Sequence, residues 1–176
     1  MPASRLPAPG ERPAARLVLG LDVGSTGTKA AAIDTADGAL VWHAYTPTSG
    51  DPLGAAQRLV GELLASPWGH AAVAAVGVTG SGREVLGPLL ARCLGPESLL
   101  VENEIAAHAE GALSLDPRVD TIFEIGGQDA KYVRLVGGRV VESALNEACS
   151  AGRSRTGPRS SWGDATPRAR NACRWP

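Results

Sequence analysis

The sequence has few of the residues on which several classes of protein depend. Its 176 residues include only four Trp, two Tyr and one Phe, so the core has to be built from aliphatic side chains. Three scattered cysteines, Cys93, Cys149 and Cys173, are too few for a disulfide framework. No apolar run approaches the roughly 20 residues that a membrane-spanning helix needs. These absences favour a cytoplasmic protein without disulfides and without a membrane partner.

The charges are distributed unevenly along the chain. The overall net charge of −1 gives no reason to expect nucleic acid as a partner. Residues 151–176, however, contain six Arg and one Asp and lack Val, Leu and Ile entirely. Such a segment cannot bury enough apolar surface to fold. We therefore predict a disordered leader over 1–15, one ordered domain over 16–150 and a disordered basic tail over 151–176.

The hydrophobic pattern of the ordered part predicts an α/β domain, a mixed sheet flanked by helices. Two groups of three strands, each an antiparallel meander, bracket a section in which helices and strands alternate. One strand, within 71–80, is continuously apolar, which is typical of a strand buried on both faces. A helix within 82–95 should be confined or split by Pro88, and its Cys93 should lie in the core. The strands are predicted within 16–24, 28–34, 38–46, 71–80, 99–104, 119–127, 129–138 and 139–145, and the helices within 51–66, 82–95 and 104–115.

Two segments about a hundred residues apart share one pattern. They read LGLDVGSTGTK over 19–29 and FEIGGQDAK over 123–131. In each, an acid ends an apolar strand, a glycine-containing turn follows, and a lysine comes seven positions after the acid. The acid and lysine are Asp22 and Lys29 in the first copy, and Glu124 and Lys131 in the second. Backbone amides of a tight glycine turn can bind phosphate, and Mg²⁺ is a suitable partner for a carboxylate at a strand end.

The repetition allows two interpretations. Each copy could be a plain β-hairpin, and neither copy is a P-loop, because the GxxxxGK[ST] motif is absent. Alternatively, the two turns could face each other across a cleft that holds the phosphates of one nucleotide with their metal. In that arrangement Asp129 would hold the metal or polarise a water, and Gln128 would orient the attacking water.

Together these segments resemble the two phosphate loops of the actin, sugar kinase and Hsp70 ATPase superfamily, whose fold is ribonuclease H-like. Three further segments resemble one branch, the BadF/BadG/BcrA/BcrD-type ATPases that activate 2-hydroxyacyl-CoA dehydratases and benzoyl-CoA reductases. These segments are GVTGSGRE over 77–84, ENEIAAHAEGA over 102–112 and NEACSAG over 146–152. The resemblance extends over residues 17–152 and corresponds to an N-terminal lobe.

The resemblance implies roles for individual residues. Asp22, Asp129 and Gln128 would be catalytic, and Asp22 would also bind Mg²⁺. The phosphates of ATP would bind to Gly24, Ser25, Thr26, Gly27, Thr28 and Lys29 in the first loop and to Gly126 and Gly127 in the second. Cys149 would be a ligand of a 4Fe–4S cluster shared by two subunits of a homodimer. The implied function is an activase that couples ATP hydrolysis to electron transfer into an acyl-CoA dehydratase or reductase.

Three departures from the family pattern leave alternatives open. Glu124 stands where the family usually has aspartate, which makes direct metal contact by this carboxylate doubtful. Cys173 does not match the second cluster cysteine of the family, so the 4Fe–4S cluster is doubtful in this chain. The resemblance stops at Gly152, which a shifted reading frame or a truncation would explain, as would a natural short protein with a basic tail. The alternative functions are a small-molecule kinase, acting for example on an amino sugar, and a non-catalytic remnant of the lobe.

Overall fold

The computed structural model describes residues 16–126 and 129–146, which fall into two compact units. The division between the units comes after Glu104. The predicted leader and the predicted tail lie outside the described residues, as do Gly127, Gln128 and Cys149. None of the helices in the described part combines the length and the apolar character of a membrane span.

The first unit is built on a five-stranded mixed sheet with the strand order β3–β2–β1–β4–β5. The predicted meander is confirmed, because β1 (Arg16–Val23), β2 (Gly27–Asp34) and β3 (Leu40–Pro47) pair antiparallel in sequence. Strands β4 (Ala72–Thr79) and β5 (Leu99–Val101) continue the sheet in parallel to β1.

Strand alternation decides which face of this sheet is buried. In β1 the odd-numbered residues Leu17 to Val23 are buried, while the residues between them face the other side. Helix α1 (Pro52–Ala65) covers the buried face with Leu59 and Leu63, which lie one turn apart. Burial of each such aliphatic side chain stabilises the fold by about 1.5–3 kcal/mol. Helix α2 (Arg83–Leu94) adds Leu86 to the same cluster, and a short 3₁₀ turn, Pro96–Ser98, leads into β5.

Three expectations in this unit were wrong. Helix α2 runs without interruption through Pro88, so the proline neither confines nor splits it. Cys93, near the end of that helix, is exposed, because the buried side of the helix is formed by Leu86 and Gly87. Strand β4 is not buried along its whole length: Val76 and Val78 are buried and the residues of the opposite face next to them are half-buried, whereas Val73, near the start of the strand, is 44% exposed.

The second unit consists of a helix on a three-stranded antiparallel sheet, β6–β7–β8. Helix α3 (Glu104–Leu115) packs Ala109 against Val133 and Leu135 of β7. The strands are β6 (Thr121–Ile125), β7 (Ala130–Val136) and β8 (Arg139–Asn146). The predicted hairpin between the last two strands is confirmed: Gly137 and Gly138 have φ angles of 57° and 75°, as a two-residue turn with both φ positive requires.

Candidate functional site

The first candidate loop joins β1 to β2. Asp22 lies directly opposite Lys29 in the strand register, and the Lys29 Nζ donates to the Asp22 Oδ2 over 2.8 Å. The turn between the strands is closed by the Gly24 amide, which donates to the Gly27 carbonyl over 3.1 Å. Asp22 is on the face of the sheet opposite the α1 core, and its side chain is 26% exposed. The carboxylate is therefore reachable from outside the unit.

The second candidate loop joins β6 to β7. Glu124 lies directly opposite Lys131, whose Nζ donates to the Glu124 Oε2 over 2.9 Å. The Gly126 amide donates to the Asp129 carbonyl over 2.9 Å. Lys131 also contacts the Asp129 Oδ1 at 3.0 Å, so its ammonium group bridges two carboxylates.

The two hairpins are the same eight-residue unit. In both, the acid and the lysine form a cross-strand pair two residues outside a four-residue turn, and the first amide of the turn donates to its fourth carbonyl. The sequence predicted the repeat from the spacing of acid and lysine, and their pairing in both copies confirms it. The copies differ in burial, since the Lys29 side chain is 55% exposed and that of Lys131 only 11%.

A third segment, the β4–α2 loop, lies against the first hairpin. The Gly82 amide donates to the Val23 carbonyl over 2.8 Å. Gly80 has a φ of +84°, and a methyl group built on it would lie 2.7 Å from the Asp22 Oδ1. Only glycine therefore leaves the second carboxylate oxygen of Asp22 uncrowded. A compact, partly exposed carboxylate with this free space fits a hydrated Mg²⁺, which would be held by Asp22 and would neutralise phosphate charge.

Two threonines, Thr28 and Thr48, contact the first loop from the side of the core. Thr28, which the sequence assigned to phosphate binding, is fully buried, and its hydroxyl lies 2.9 Å from that of Thr48. The Thr48 hydroxyl donates to the Gly24 carbonyl over 2.6 Å. The Thr28 side chain therefore faces the core side of the loop. Sequence reasoning missed Thr48, because a threonine after a strand end gives no signal of a contact with a turn some 20 residues earlier.

Tyr45 of β3 was also missed. A methyl group built on Gly27 would lie 2.5 Å from the Tyr45 ring and 2.6 Å from its hydroxyl. The absence of a side chain at Gly27 thus allows the ring to lie over the end of the loop. No local pattern identifies this contact, because it depends on the register of β2 against β3.

Comparison with known proteins identifies the family. The model of the BadF/BadG/BcrA/BcrD ATPase family matches residues 19–157. The chain belongs to this family. The match includes both hairpins and the β4–α2 loop, so the segments that carried the resemblance are the ones the family shares.

Characterised relatives of the family include two dehydratase activators. The chain is 30% identical over 138 residues to the (R)-2-hydroxyglutaryl-CoA dehydratase activating ATPase of Acidaminococcus fermentans. It is 29% identical over 142 residues to the 2-hydroxyisocaproyl-CoA dehydratase activator of Clostridioides difficile. Each match covers 78% of this chain, and 49% and 48% of the two relatives. The chain thus spans about half the length of the relatives it matches.

Solved structures confirm the predicted fold class, the ribonuclease H-like fold of actin-like ATPases. The activator of 2-hydroxyisocaproyl-CoA dehydratase from Clostridium difficile, solved with bound ADPNP, superposes with a TM-score of 0.64 at 30% identity. That match covers 78% of this chain and 48% of the activator. The dehydratase component A from Acidaminococcus fermentans gives a TM-score of 0.62 at 28% identity and covers 77% and 49% of the two chains.

Proposed function

We propose that this chain supplies the phosphate-binding part of an ATP-hydrolysing activator of an acyl-CoA dehydratase or reductase. The observation that carries the proposal is the pair of hairpins with identical register, each presenting a carboxylate–lysine pair beside a glycine turn. Phosphoryl transfer requires positioning and charge neutralisation more than covalent chemistry, and loop amides, lysines and carboxylates provide both. The relatives that are named as activators, one of them solved with ADPNP, support an activator over a small-molecule kinase.

Each residue has a distinct part in this proposal. Asp22 holds Mg²⁺, and Lys29 moves from the carboxylate to a phosphate oxygen when nucleotide enters, since the ammonium group is exposed and has three donors. Asp129 polarises the attacking water, and Gln128 orients it. Lys131 restrains Asp129, because its partly buried ammonium group is already bridged to Glu124. Glu124 therefore acts on the second loop through Lys131.

The electron-transfer part of the proposal depends on Cys149, which would be a ligand of a 4Fe–4S cluster at a homodimer interface. Thiolates are the standard ligands of such clusters. Cys93 is the one cysteine in the described part of the chain, and it lies near the end of α2, far along the chain from Cys149. In this proposal the described residues bind the nucleotide, and Cys149 is the cluster ligand.

Titration of the ¹⁵N-labelled chain with Mg–ADPNP, followed by NMR, tests the nucleotide part. We expect amide signals of both loops to shift at millimolar ligand, and we expect the apparent affinity to fall when Mg²⁺ is omitted. Asp22→Asn should remove this Mg²⁺ dependence, whereas Glu62→Gln, on the exposed side of α1, should leave it unchanged. If no loop amide shifts, or if Asp22→Asn retains the full Mg²⁺ dependence, the assignment of the phosphate site is wrong.

Turnover is tested in an intact relative that activates its dehydratase. Alanine at the positions matching Asp22 and Asp129 should lower ATP hydrolysis by ~10²–10³-fold, the typical cost of removing one group that stabilises transition-state charge. The loss should appear equally in ATP-dependent activation of the dehydratase. Near-normal hydrolysis in both variants would contradict the paired-loop mechanism.

A further inference from the structure

We propose that Thr48 is a positioning residue that holds the first loop so that the Ser25 and Gly27 amides face a phosphate. This inference rests on the proposed function, because it explains how the β1–β2 loop is prepared for its ligand. Thr48 lies just beyond the end of β3 and is 2% exposed, so it does not reach the ligand itself. Its effect is transmitted through the backbone of the loop.

The donor and the acceptor of each side-chain hydrogen bond at Thr48 can be assigned. A threonine hydroxyl has one proton, and Thr48 uses it to donate to the Gly24 carbonyl over 2.6 Å. The Thr28 hydroxyl, 2.9 Å from that of Thr48, must therefore be the donor in their contact. Both side chains are buried, so water does not compete for these bonds. The result is a fixed chain from Thr28 through Thr48 to the loop backbone.

Thr48 contacts the loop a second time through its own backbone. Its amide donates to the Thr26 carbonyl over 3.0 Å. Thr48 thus forms hydrogen bonds with the carbonyls of Gly24 and Thr26, two residues apart in the loop, so both carbonyls point toward Thr48. Across a planar trans peptide the N–H points opposite to the C=O. The amides that follow these carbonyls, those of Ser25 and Gly27, are therefore directed away from Thr48.

Two amides directed to the same side of a glycine turn form a site for an anion. Among the residues that the structure describes, no acceptor contacts the Ser25 amide. A phosphate oxygen would therefore be accepted without breaking an existing bond at Ser25. The amides of the loop are oriented before the ligand arrives, which lowers the entropic cost of binding.

Thr48 is itself held in place from its other side. Its carbonyl accepts from the Asp51 amide over 3.0 Å, closing a turn in which Ser49 and Gly50 have φ angles of 52° and 75°. Asp51 is the N-cap of α1, with its side chain accepting from the Gly54 amide over 2.8 Å. Because α1 is packed into the core, the turn cannot shift independently of the unit. Thr48 thus transmits the rigidity of α1 to the phosphate loop.

The test is an NMR titration of the ¹⁵N-labelled 176-residue chain with magnesium tripolyphosphate. In the wild type we expect the Ser25 and Gly27 amides to shift more than the ladder amides of Ala30 and Ala31. Thr48→Val removes the hydroxyl at nearly constant volume, and the loss of one positioned hydrogen bond should weaken binding about tenfold. Thr48→Ser keeps the hydroxyl and should bind like the wild type. Thr46→Val, two residues earlier on β3, is the matched control, because within the described residues its hydroxyl makes no hydrogen bond.

The outcomes separate this inference from the proposed function. If tripolyphosphate shifts no loop amide of the wild type, the phosphate site and the inference both fail. If the wild type binds and folded Thr48→Val binds equally well, or if Thr48→Ser is as impaired as Thr48→Val, the inference alone is wrong. Should Thr48→Val not fold, the binding of Thr48→Ser and the pattern of amide shifts in the wild type remain as the tests. Shifts in the loop that leave the Ser25 and Gly27 amides unchanged would overturn the inference.

Discussion

Single glycines in this chain differ in whether a side chain would fit in their place. Gly80 combines a φ of +84° with a close approach to the Asp22 carboxylate and to the Val23 carbonyl. Gly77, three residues earlier in β4, has open space around the position of a Cβ and an ordinary φ. The glycine at position 80 is thus required by the loop that lies against the first hairpin, whereas the glycine at 77 is not.

Substitution at these two glycines should have opposite consequences. Gly80→Ala should lower the free energy of unfolding by about 1–3 kcal/mol, because a non-glycine residue is strained at this φ and its methyl group crowds Asp22. Gly77→Ala should be neutral or stabilising by up to about 1 kcal/mol, since alanine reduces the entropy of the unfolded chain. Urea unfolding followed by circular dichroism measures both. Equal stability of the two variants would contradict the constraint at Gly80.

Two prolines show how the position within a helix decides the effect of the same residue. Pro52 begins α1, after the Asp51 N-cap, where its missing N–H has no helical partner to lose. Pro88 lies inside α2, at a position where the backbone N–H of any other residue would donate to the Glu84 carbonyl. Helix α2 nevertheless continues through Pro88, because packing on the sheet through Leu86 outweighs the loss of one hydrogen bond.

Alanine at the two prolines should separate these effects. Pro88→Ala should stabilise the chain by about 2 kcal/mol, because an interior proline costs ~3 kcal/mol and the more flexible unfolded chain offsets up to ~1 kcal/mol. Pro52→Ala should change stability by less than about 1 kcal/mol, toward destabilisation. Thermal unfolding of both variants is the measurement. A less stable Pro88→Ala would show that α2 requires the proline.

At the scale of the whole molecule, the chain consists of two compact units and spans about half the length of its relatives. Each unit contains one of the two hairpins. The residues assigned to ATP all belong to the phosphate loops, and none of them provides a pocket for the adenine or the ribose. An apolar surface is needed to bury a base, whereas the loops offer amides and charges.

Nucleotide binding by the chain as it stands should therefore be weak. Phosphate contacts made in water lose most of their electrostatic strength, because the solvent screens them. We expect isothermal titration calorimetry to detect no ATP binding at micromolar ligand, while the same chain responds to millimolar Mg–ADPNP by NMR. Added salt should weaken the millimolar response. Micromolar affinity would mean that the described units contain a base pocket of their own.

The sequence by itself determined the features that depend on local pattern. Strand alternation, helical spacing and glycine turns gave the two meanders, the three helices and the hairpin at Gly137–Gly138, because each follows from residues close together in the chain. The repeat of acid, turn and lysine was visible for the same reason, since opposite positions in a tight hairpin have a fixed spacing. Periodicity alone predicted a mixed α/β domain. The family-specific motifs added the prediction of a ribonuclease H-like fold.

Only the tertiary structure decided how distant segments support the first loop. The contact of Gly80 with Asp22, the hydrogen bonds from Thr48 to Gly24 and Thr26, and the ring of Tyr45 over Gly27 join residues that are distant in sequence. The exposure of Cys93 and of the first residues of β4 likewise depends on which elements pack against them. Such contacts arise from packing against a particular neighbour, and no periodicity of residue types encodes the identity of that neighbour.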